Sequence, residues 1–284
     1  LPAASTPPRP TWAGAGVVNK VFMFGTPNEG SAEAFATLIE GYSVTEGLRR
    51  RVRLLNKLSR EDVVTIPSVY QLLPHRAAAR FLDENLRPVE VDLYDPVAWR
   101  RYGWAAVNNP EYRARFARGK ANGGDSPDPS GTLDELDAFF AAVLDRARRF
   151  HEALDAGGDN SAVALFAFGG DCEETLAAPV ILRDEKRGRW VTLTGPREIR
   201  LTNGGRLSRK EVTRAMYEPG DGRVTRRSLL GEARDDANRR GISPYNTPLP
   251  LAYAAFACDL HSELPKNTTL QDNALTLLVS ELMR

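Results

Sequence analysis

The sequence has few of the residues that mark metal-binding and disulfide-rich proteins. It contains two cysteines and three histidines in 284 residues, too few for a cysteine framework or a Cys/His metal cluster. Cys172 and Cys258 each follow a candidate strand, so a disulfide between them and two separate buried thiols both fit the pattern. We therefore expect no bound metal ion and no cofactor.

An excess of charge of one sign is also missing. The 38 basic and 37 acidic side chains give a formal net charge of +1, which offers no reason to expect a nucleic acid or an anionic membrane as partner. No window approaches the run of about 18 apolar residues that a transmembrane helix needs. Hydrophobic residues nevertheless make up 42% of the chain, as expected for a globular protein with a substantial core.

Several sequence motifs that carry chemistry are absent as well. The sequence contains no G-x-S-x-G nucleophile elbow, no G-x-x-x-x-G-K-[ST] phosphate loop and no G-x-G-x-x-G that opens a helix. The stretch "GDGRV" around Asp221 lacks the alternating acidic ligands of a calcium loop. These absences argue against nucleotide binding and calcium binding, and they leave a serine-type mechanism without its nucleophile.

Three apolar runs are present, and each ends in a polar loop. Residues 17–24 precede "GTPNEGS", residues 161–170 precede "DCEET", and residues 251–258 precede "DLHSEL". Short apolar runs that turn residues end predict buried strands, and the helical stretches between them predict an α/β fold with a parallel sheet. Because ligands bind at the carboxyl ends of such strands, the three polar loops are the expected site.

Other segments have clear local signals. Thr132 with Glu135, Ser208 with Glu211, and Thr268 with Gln271 predict three capped helices. Two β-rich runs around a charged turn predict a hairpin over residues 179–195. Residues 118–131, rich in glycine, aspartate and proline, predict a flexible loop.

His261 follows the third strand and precedes the last helix, which is the position of a general base when the acid comes before the histidine in the chain. Such a base needs a carboxylate to hold its tautomer. Asp171 directly follows the second strand, and Asp221 comes later but still precedes His261, so the residues alone leave both open as the acid. His75 and His151 have no such context, and we expect them to be ordinary loop and helix residues.

Five segments together resemble the lecithin:cholesterol acyltransferase-like α/β-hydrolases, in the order of that family and over nearly the whole chain. They are "VNKVFMFGTPNEGSAEAF", "IPSVYQLLP", "VDLYDPVAWRRYGW", "EPGDGRVTRRSLL" and "FACDLHSELPKNTTLQDNALTLL". The resemblance implies that Asp221 is the acid and His261 the base of a catalytic triad. It therefore favours Asp221 over Asp171.

The resemblance also implies the organisation of the chain. Residues 1–30 correspond to the loop after the elbow and a core strand, residues 31–160 to a largely helical cap, and residues 161–284 to the C-terminal core with the acid and the histidine. Relative to the family, the hairpin predicted over residues 179–195 would be an insertion between the second strand and the loop that carries Asp221. In the family the serine elbow precedes "GTPNEGS", so we expect this chain to be part of an α/β-hydrolase fold, without a nucleophile serine and inactive alone.

The activity that the resemblance implies is serine-dependent acyl transfer or ester hydrolysis on a lipid or another hydrophobic ester. The cap is then expected to cover the acyl chain and to touch a lipid surface peripherally. The alternative is a non-catalytic protein of the same fold that binds a lipid or a partner under the cap, since no elbow is present in the sequence.

Overall fold

A computed structural model describes residues 13–43, 57–121, 129–155, 163–201, 204–231 and 251–280. These ranges contain helices together with strands, three of which form a parallel sheet, as expected for the α/β class. In chain order the strands are β1 (Lys20–Phe24), β2 (Tyr42–Ser43), β3 (Lys57–Leu58), β4 (Phe81–Leu82), β5 (Pro88–Val89), β6 (Ala164–Gly170), β7 (Glu173–Leu176), β8 (Val180–Asp184), β9 (Arg189–Leu193), β10 (Ile199–Arg200), β11 (Arg206–Leu207), β12 (Tyr217–Gly220) and β13 (Leu251–Ala257). The helices are α1 (Ala32–Glu40), α2 (Arg60–Val63), α3 (Pro67–Tyr70), α4 (Pro96–Tyr102), α5 (Pro110–Ala121), α6 (Pro129–Asp155), α7 (Arg209–Met216), α8 (Arg226–Leu230) and α9 (Thr268–Val279).

The three predicted strands form one parallel sheet with the order β1-β6-β13. Phe22 of β1 lies opposite Phe166 of β6, and Ala255 of β13 lies opposite Phe168. The register of β13 shifts between Leu251 and Tyr253, as expected where one strand contains an extra residue. All three carboxyl ends therefore lie at the same edge of the sheet.

Both faces of this sheet are covered, which explains why its strands are continuous apolar runs rather than alternating ones. On one face, Phe22 stacks on Phe166 with ring centroids 4.9 Å apart, and Leu270 of α9 packs into the same cluster. On the other face, Met23 and Leu229 of α8 belong to a second cluster. The sheet is thus the middle layer of a three-layer arrangement in this part of the chain.

The helices α1 to α6 lie between β1 and β6 in the chain and have a core of their own. Phe35, Trp99 and Trp104 form its aromatic centre, with ring centroids 4.7 Å apart for Phe35–Trp104 and 5.6 Å apart for Trp99–Trp104. Each of the three is almost fully buried, and large aromatic side chains dominate the energetics of such cores. The predicted cap boundaries at residues 31 and 160 stay a prediction.

The structure corrects two helix starts and the predicted flexible loop. The long helix α6 begins at Pro129, not at Thr132, because a proline fits the first turn of a helix, where its missing N–H is not needed. Helix α5 extends to Ala121, so the predicted loop 118–131 is helical at both ends, and residues 122–128 lie outside the described residues. The cap of α9 is Asn267, whose side chain accepts a hydrogen bond from the N–H of Leu270.

Two other local predictions are confirmed. Ser208 and Glu211 form the predicted capping box at the start of α7. The strands β8 and β9 form the predicted hairpin, with Val180 opposite Leu193 and Asp184 opposite Arg189. The hairpin also joins β4 and β5 in a four-stranded sheet with the order β5-β4-β8-β9.

The chain leaves the central sheet after β6 and returns before α8. It leaves through β7 and comes back through β12, which pairs antiparallel to β7 with Gly220 opposite Glu173. This pairing brings the end of β12 back to the carboxyl end of β6.

Within the ranges that the structure describes, no helix has both the length and the apolar character needed to cross a membrane.

Candidate active site

Asp221 and His261 meet at the carboxyl edge of the central sheet. The Nδ1–H of His261 donates to Oδ2 of Asp221 at 2.8 Å, because an ionised carboxylate can only accept. The backbone N–H of His261 also donates to the backbone carbonyl of Asp221 at 2.8 Å. Two hydrogen bonds, one between side chains and one between backbones, therefore fix the histidine on the aspartate.

The second carboxylate oxygen of Asp221 is used to hold its own turn. Oδ1 accepts the backbone N–H groups of Arg223 at 2.9 Å and of Val224 at 2.7 Å. The side chain is 1% exposed, so these contacts and the one to His261 replace the water that a buried carboxylate loses. The Gly-Asp-Gly turn thus presents one oxygen to the histidine and keeps the other in the turn.

The return strand β12 places Asp221 directly behind the end of β6. The N–H of Gly222 donates to Oγ1 of Thr175 on β7 at 2.8 Å, which ties the aspartate turn to the outgoing strand. A Cβ atom on Gly170, the last residue of β6, would lie 2.8 Å from Cβ of Asp221. Only a residue without a side chain allows the two backbones to approach this closely.

Asp171, the other candidate acid, is placed differently. It directly follows β6, as predicted, but its side chain is exposed. It lines an open cavity of about 800 Å³ together with Glu174 and Arg209. The structure therefore joins His261 to Asp221 rather than to Asp171, whereas the catalytic roles themselves stay predictions.

Gly25 lies in the predicted site loop "GTPNEGS", but the sequence analysis did not single it out as a site residue. It follows β1 with a φ angle of +58°, and a Cβ atom there would lie 2.7 Å from Nδ1 of His261 and 2.9 Å from Oδ2 of Asp221. The backbone of Gly25 thus packs directly against the hydrogen-bonded side chains of Asp221 and His261. Its position just after an apolar strand was the available signal.

The tautomer of His261 follows from this geometry. Because Nδ1 carries the proton donated to Asp221, the neutral ring leaves Nε2 as an acceptor. The side chain of His261 is 33% exposed, so the ring reaches solvent. The hydrogen bonds described for His261 thus run from Nδ1 and from the backbone N–H, both to Asp221.

The two cysteines form a disulfide between neighbouring strand ends. Cys172 and Cys258 are bonded, with their Cα atoms 5.2 Å apart, and both are exposed. This excludes the two buried thiols that the sequence left open. The bond ties the start of the outgoing chain after β6 to the end of β13, three residues before His261.

The third loop at this edge, "GTPNEGS", contributes a buried carboxyl group. Glu29 is 1% exposed, and neither of its side-chain oxygens has a hydrogen-bond partner. Burial raises its pKa from 4.5 to about 7, against the opposing effect of the Arg76 guanidinium, whose Nε lies 3.8 Å from Oε1. Glu29 is therefore partly protonated near neutral pH.

Other kinds of site have no support here. Among the residues with described positions, no group of three or more His, Cys, Asp or Glu side chains is arranged to hold a metal ion. No protein-family model matches the chain, and no curated protein matches it in sequence. Function is therefore inferred from the geometry of the site and from the motifs in the sequence.

Proposed function

We propose that Asp221 and His261 are the acid and the base of a Ser-His-Asp triad in an α/β-hydrolase of the lecithin:cholesterol acyltransferase-like type. The observation that carries the proposal is the 2.8 Å hydrogen bond from Nδ1 of His261 to Oδ2 of Asp221 at the carboxyl edge of a parallel sheet. The central sheet supports it, because Asp221 lies against Gly170 at the end of β6, and His261 follows the neighbouring strand β13. The proposed substrate is a lipid or another hydrophobic ester.

The reaction consists of two acyl transfers. A serine attacks the ester carbonyl while Nε2 of His261 takes the hydroxyl proton, and Asp221 stabilises the imidazolium that forms. His261 then gives the proton to the leaving alkoxide, and the acyl group stays on the serine. In the second half, water or an acceptor alcohol attacks the acyl-enzyme with His261 as base. Because no G-x-S-x-G occurs in the 284 residues, the proposal requires a serine from outside this sequence.

The helical region α1 to α6 is the proposed cap over the acyl chain. Its support is a direct backbone connection to the loop after β1. The N–H of Ser31 donates to the carbonyl of Leu72 at 2.8 Å, and the N–H of His75 donates to the carbonyl of Glu29 at 3.0 Å. The segment after α3 is thereby fixed against the loop that also carries Gly25, next to His261.

The first test measures the tautomer of His261 in this chain by ¹⁵N NMR. We expect the signature of a protonated Nδ1 and an unprotonated Nε2. Asp221→Asn presents an amide that can donate, so we expect the tautomer to change, as it does when a triad aspartate is replaced by asparagine. The matched control Asp171→Asn should leave the spectrum of His261 unchanged. An unaltered tautomer in Asp221→Asn would contradict the proposed pair.

The second test measures turnover of a p-nitrophenyl ester. We expect no turnover by the 284-residue chain, and turnover by a longer form of the protein that includes an in-frame G-x-S-x-G. In that longer form, Asp221→Asn should lower kcat about 10⁴-fold, and Asp171→Asn should have little effect. Turnover by the 284-residue chain that His261→Ala abolishes would show that the serine from outside is not needed.

The second candidate function is a non-catalytic protein that binds a lipid or a partner under the helical region. The observation in its favour is that the 284 residues contain no G-x-S-x-G nucleophile elbow. The in-frame sequence upstream separates the two functions. An elbow there that reacts with a fluorophosphonate probe supports the enzyme, whereas fatty-acid binding without such labelling supports the binding protein.

A further inference from the structure

A second polar site lies in the helical region, away from Asp221 and His261. His75 follows α3, and His151 belongs to the last turns of α6. Their rings stack with centroids 4.0 Å apart and planes 10° from parallel. Both line a cavity of about 350 Å³, which we call the histidine-pair cavity and which is within the size range of small-molecule sites.

His151 has partners for both ring nitrogens. Its Nε2–H donates to the backbone carbonyl of Gln71 at 2.9 Å, because a carbonyl only accepts. Nδ1 then accepts the hydroxyl proton of Tyr94 at 2.5 Å. His151 is therefore a fixed, neutral wall of the cavity, and burial lowers its pKa.

His75 has no such partners. Its side chain is 5% exposed, and neither ring nitrogen makes a hydrogen bond. Nε2 lies 3.8 Å from Oδ1 of Asp155, too far for a hydrogen bond. Burial lowers the pKa of His75 to about 3, against the opposing effect of the Leu73 backbone, so the ring is neutral and one nitrogen is an acceptor. A buried polar group without a partner is rare and costly unless something else supplies the partner.

The charges around the cavity favour a cation. Asp92, Glu152 and Asp155 line it, against Arg76 and Arg148. Both arginines already have carboxylate partners, Arg148 with Asp92 at 3.3 Å and Arg76 with Asp155 at 3.4 Å. The carbonyl end of α6, where the helix dipole is negative, adds to the excess of negative charge.

The remaining wall is apolar. Pro74, Val91, Leu93 and the ring of Tyr94 line the cavity beside the two histidines. Such a surface packs against hydrocarbon, while the few polar atoms fix the orientation of a ligand.

We propose that the histidine-pair cavity binds a small protonated amine with a short apolar tail. The ammonium group donates to Nε2 of His75 and to Oδ1 of Asp155, and the tail packs on the wall formed by Val91, Leu93 and Tyr94. The inference stands independently of the proposed acyl-transfer function, because it uses neither Asp221 nor His261.

Three probes with the same ring and different head groups test this inference. Cyclohexylammonium, cyclohexanol and cyclohexanecarboxylate are titrated into the ¹⁵N-labelled chain at neutral pH, with calorimetry and the ring nitrogens of His75 as readouts. We expect saturable binding of cyclohexylammonium with a shift of the Nε2 resonance of His75. We expect cyclohexanol to bind at least about tenfold more weakly than cyclohexylammonium, because it lacks the charge. We expect cyclohexanecarboxylate not to bind.

Variants identify the two acceptors. Asp155→Asn removes the charge with little change of shape, and we expect the Kd for cyclohexylammonium to rise about tenfold or more. His75→Phe keeps an aromatic ring on His151 and should weaken binding comparably. The matched control Asp184→Asn removes one negative charge from strand β8, outside the lining of this cavity, and should leave the Kd unchanged.

Binding measurements on the wild-type chain alone can overturn the inference, even if a variant fails to fold. Absence of cyclohexylammonium binding, or equal binding of cyclohexanol, would overturn it. The same holds for binding that leaves the ring nitrogens of His75 unshifted. Equal Kd values for wild type and a folded Asp155→Asn variant would contradict the role of that carboxylate.

Discussion

Adding one methyl group at Gly25 should separate Asp221 from His261. In Gly25→Ala the new Cβ atom would lie 2.7 Å from Nδ1 and 2.8 Å from Cε1 of His261, and 2.9 Å from Oδ2 of Asp221. Atoms at these distances overlap, so the ring or the carboxylate has to move. Asp221 is 1% exposed and bonded to its own turn, so the imidazole of His261 is the group that we expect to shift.

The magnitude has two parts, and a second glycine separates them. Gly25 has a φ angle of +58°, where alanine costs roughly 1–2 kcal/mol. Overpacking adds about 1–3 kcal/mol. Gly188, in the turn between β8 and β9, has a φ angle of +62°, but a Cβ atom added there would have no other atom within 4 Å. Gly188→Ala should therefore show the backbone cost alone.

The assay combines urea unfolding with ¹⁵N NMR of His261. We expect Gly25→Ala to lower the free energy of unfolding by about 2–5 kcal/mol and Gly188→Ala by about 1–2 kcal/mol. Only Gly25→Ala should change the Nδ1 signal of His261. If the two variants lose the same stability and the His261 signal is unchanged in both, the close approach of Gly25 to the pair is refuted.

Two further predictions concern stability. Replacing both Cys172 and Cys258 by serine opens a bond with a sequence separation of 86, and we expect a loss of about 4–5 kcal/mol; unfolding of the wild type that is insensitive to dithiothreitol would contradict this. Burial raises the pKa of Glu29 from 4.5 to about 7. The protonated side chain therefore contributes fully to the free energy of unfolding below pH 4.5, and this contribution is lost as the pH rises through about 7. Glu29→Gln cannot ionise and should be up to about 3 kcal/mol more stable than wild type at about pH 8, with little difference at about pH 4.5; equal urea midpoints at both pH values would refute this.

The sequence predicted the central sheet well for a physical reason. Because both faces of the sheet are covered, its strands are mostly apolar rather than alternating, and such runs are visible without any knowledge of the neighbours. The predicted start of the first strand was less accurate, because β1 begins at Lys20, inside the run at 17–24. The second strand, β6, begins at Ala164, and residues 161 and 162 of its run lie outside the described residues. Val17, ahead of β1, is apolar but 89% exposed, so apolar composition alone does not show where strand pairing begins.

The histidine-pair cavity could not be predicted from the sequence. His75 follows a short helix, His151 lies in a long amphipathic one, and their contact depends on how α6 packs against the segment after α3. Neither residue has a local motif, and the sequence predicted only an ordinary loop residue at His75 and an ordinary helix residue at His151. The side chain of His151 is instead 3% exposed and hydrogen-bonded at both ring nitrogens.

The two candidate acids show why strand order in the chain differs from strand order in space. Asp171 was a candidate acid because it directly follows β6 in the chain. The excursion through β7 and β12 returns to the same place, and Gly170 and Asp221 are in contact there. Asp221 thus occupies the spatial position after β6 although it is far along the chain.

The place of Asp221 is fixed by contacts at the two ends of the segment from β7 to β12, and not by the length of that segment. The antiparallel pair β7–β12 and the bond from Gly222 to Thr175 hold the return point, and the disulfide from Cys172 ties the outgoing chain to the strand that leads to His261. These contacts lie at the base of the excursion, outside the hairpin β8–β9. The aspartate in "GDG" is therefore specified by the contacts around its turn rather than by its distance from β6 in sequence.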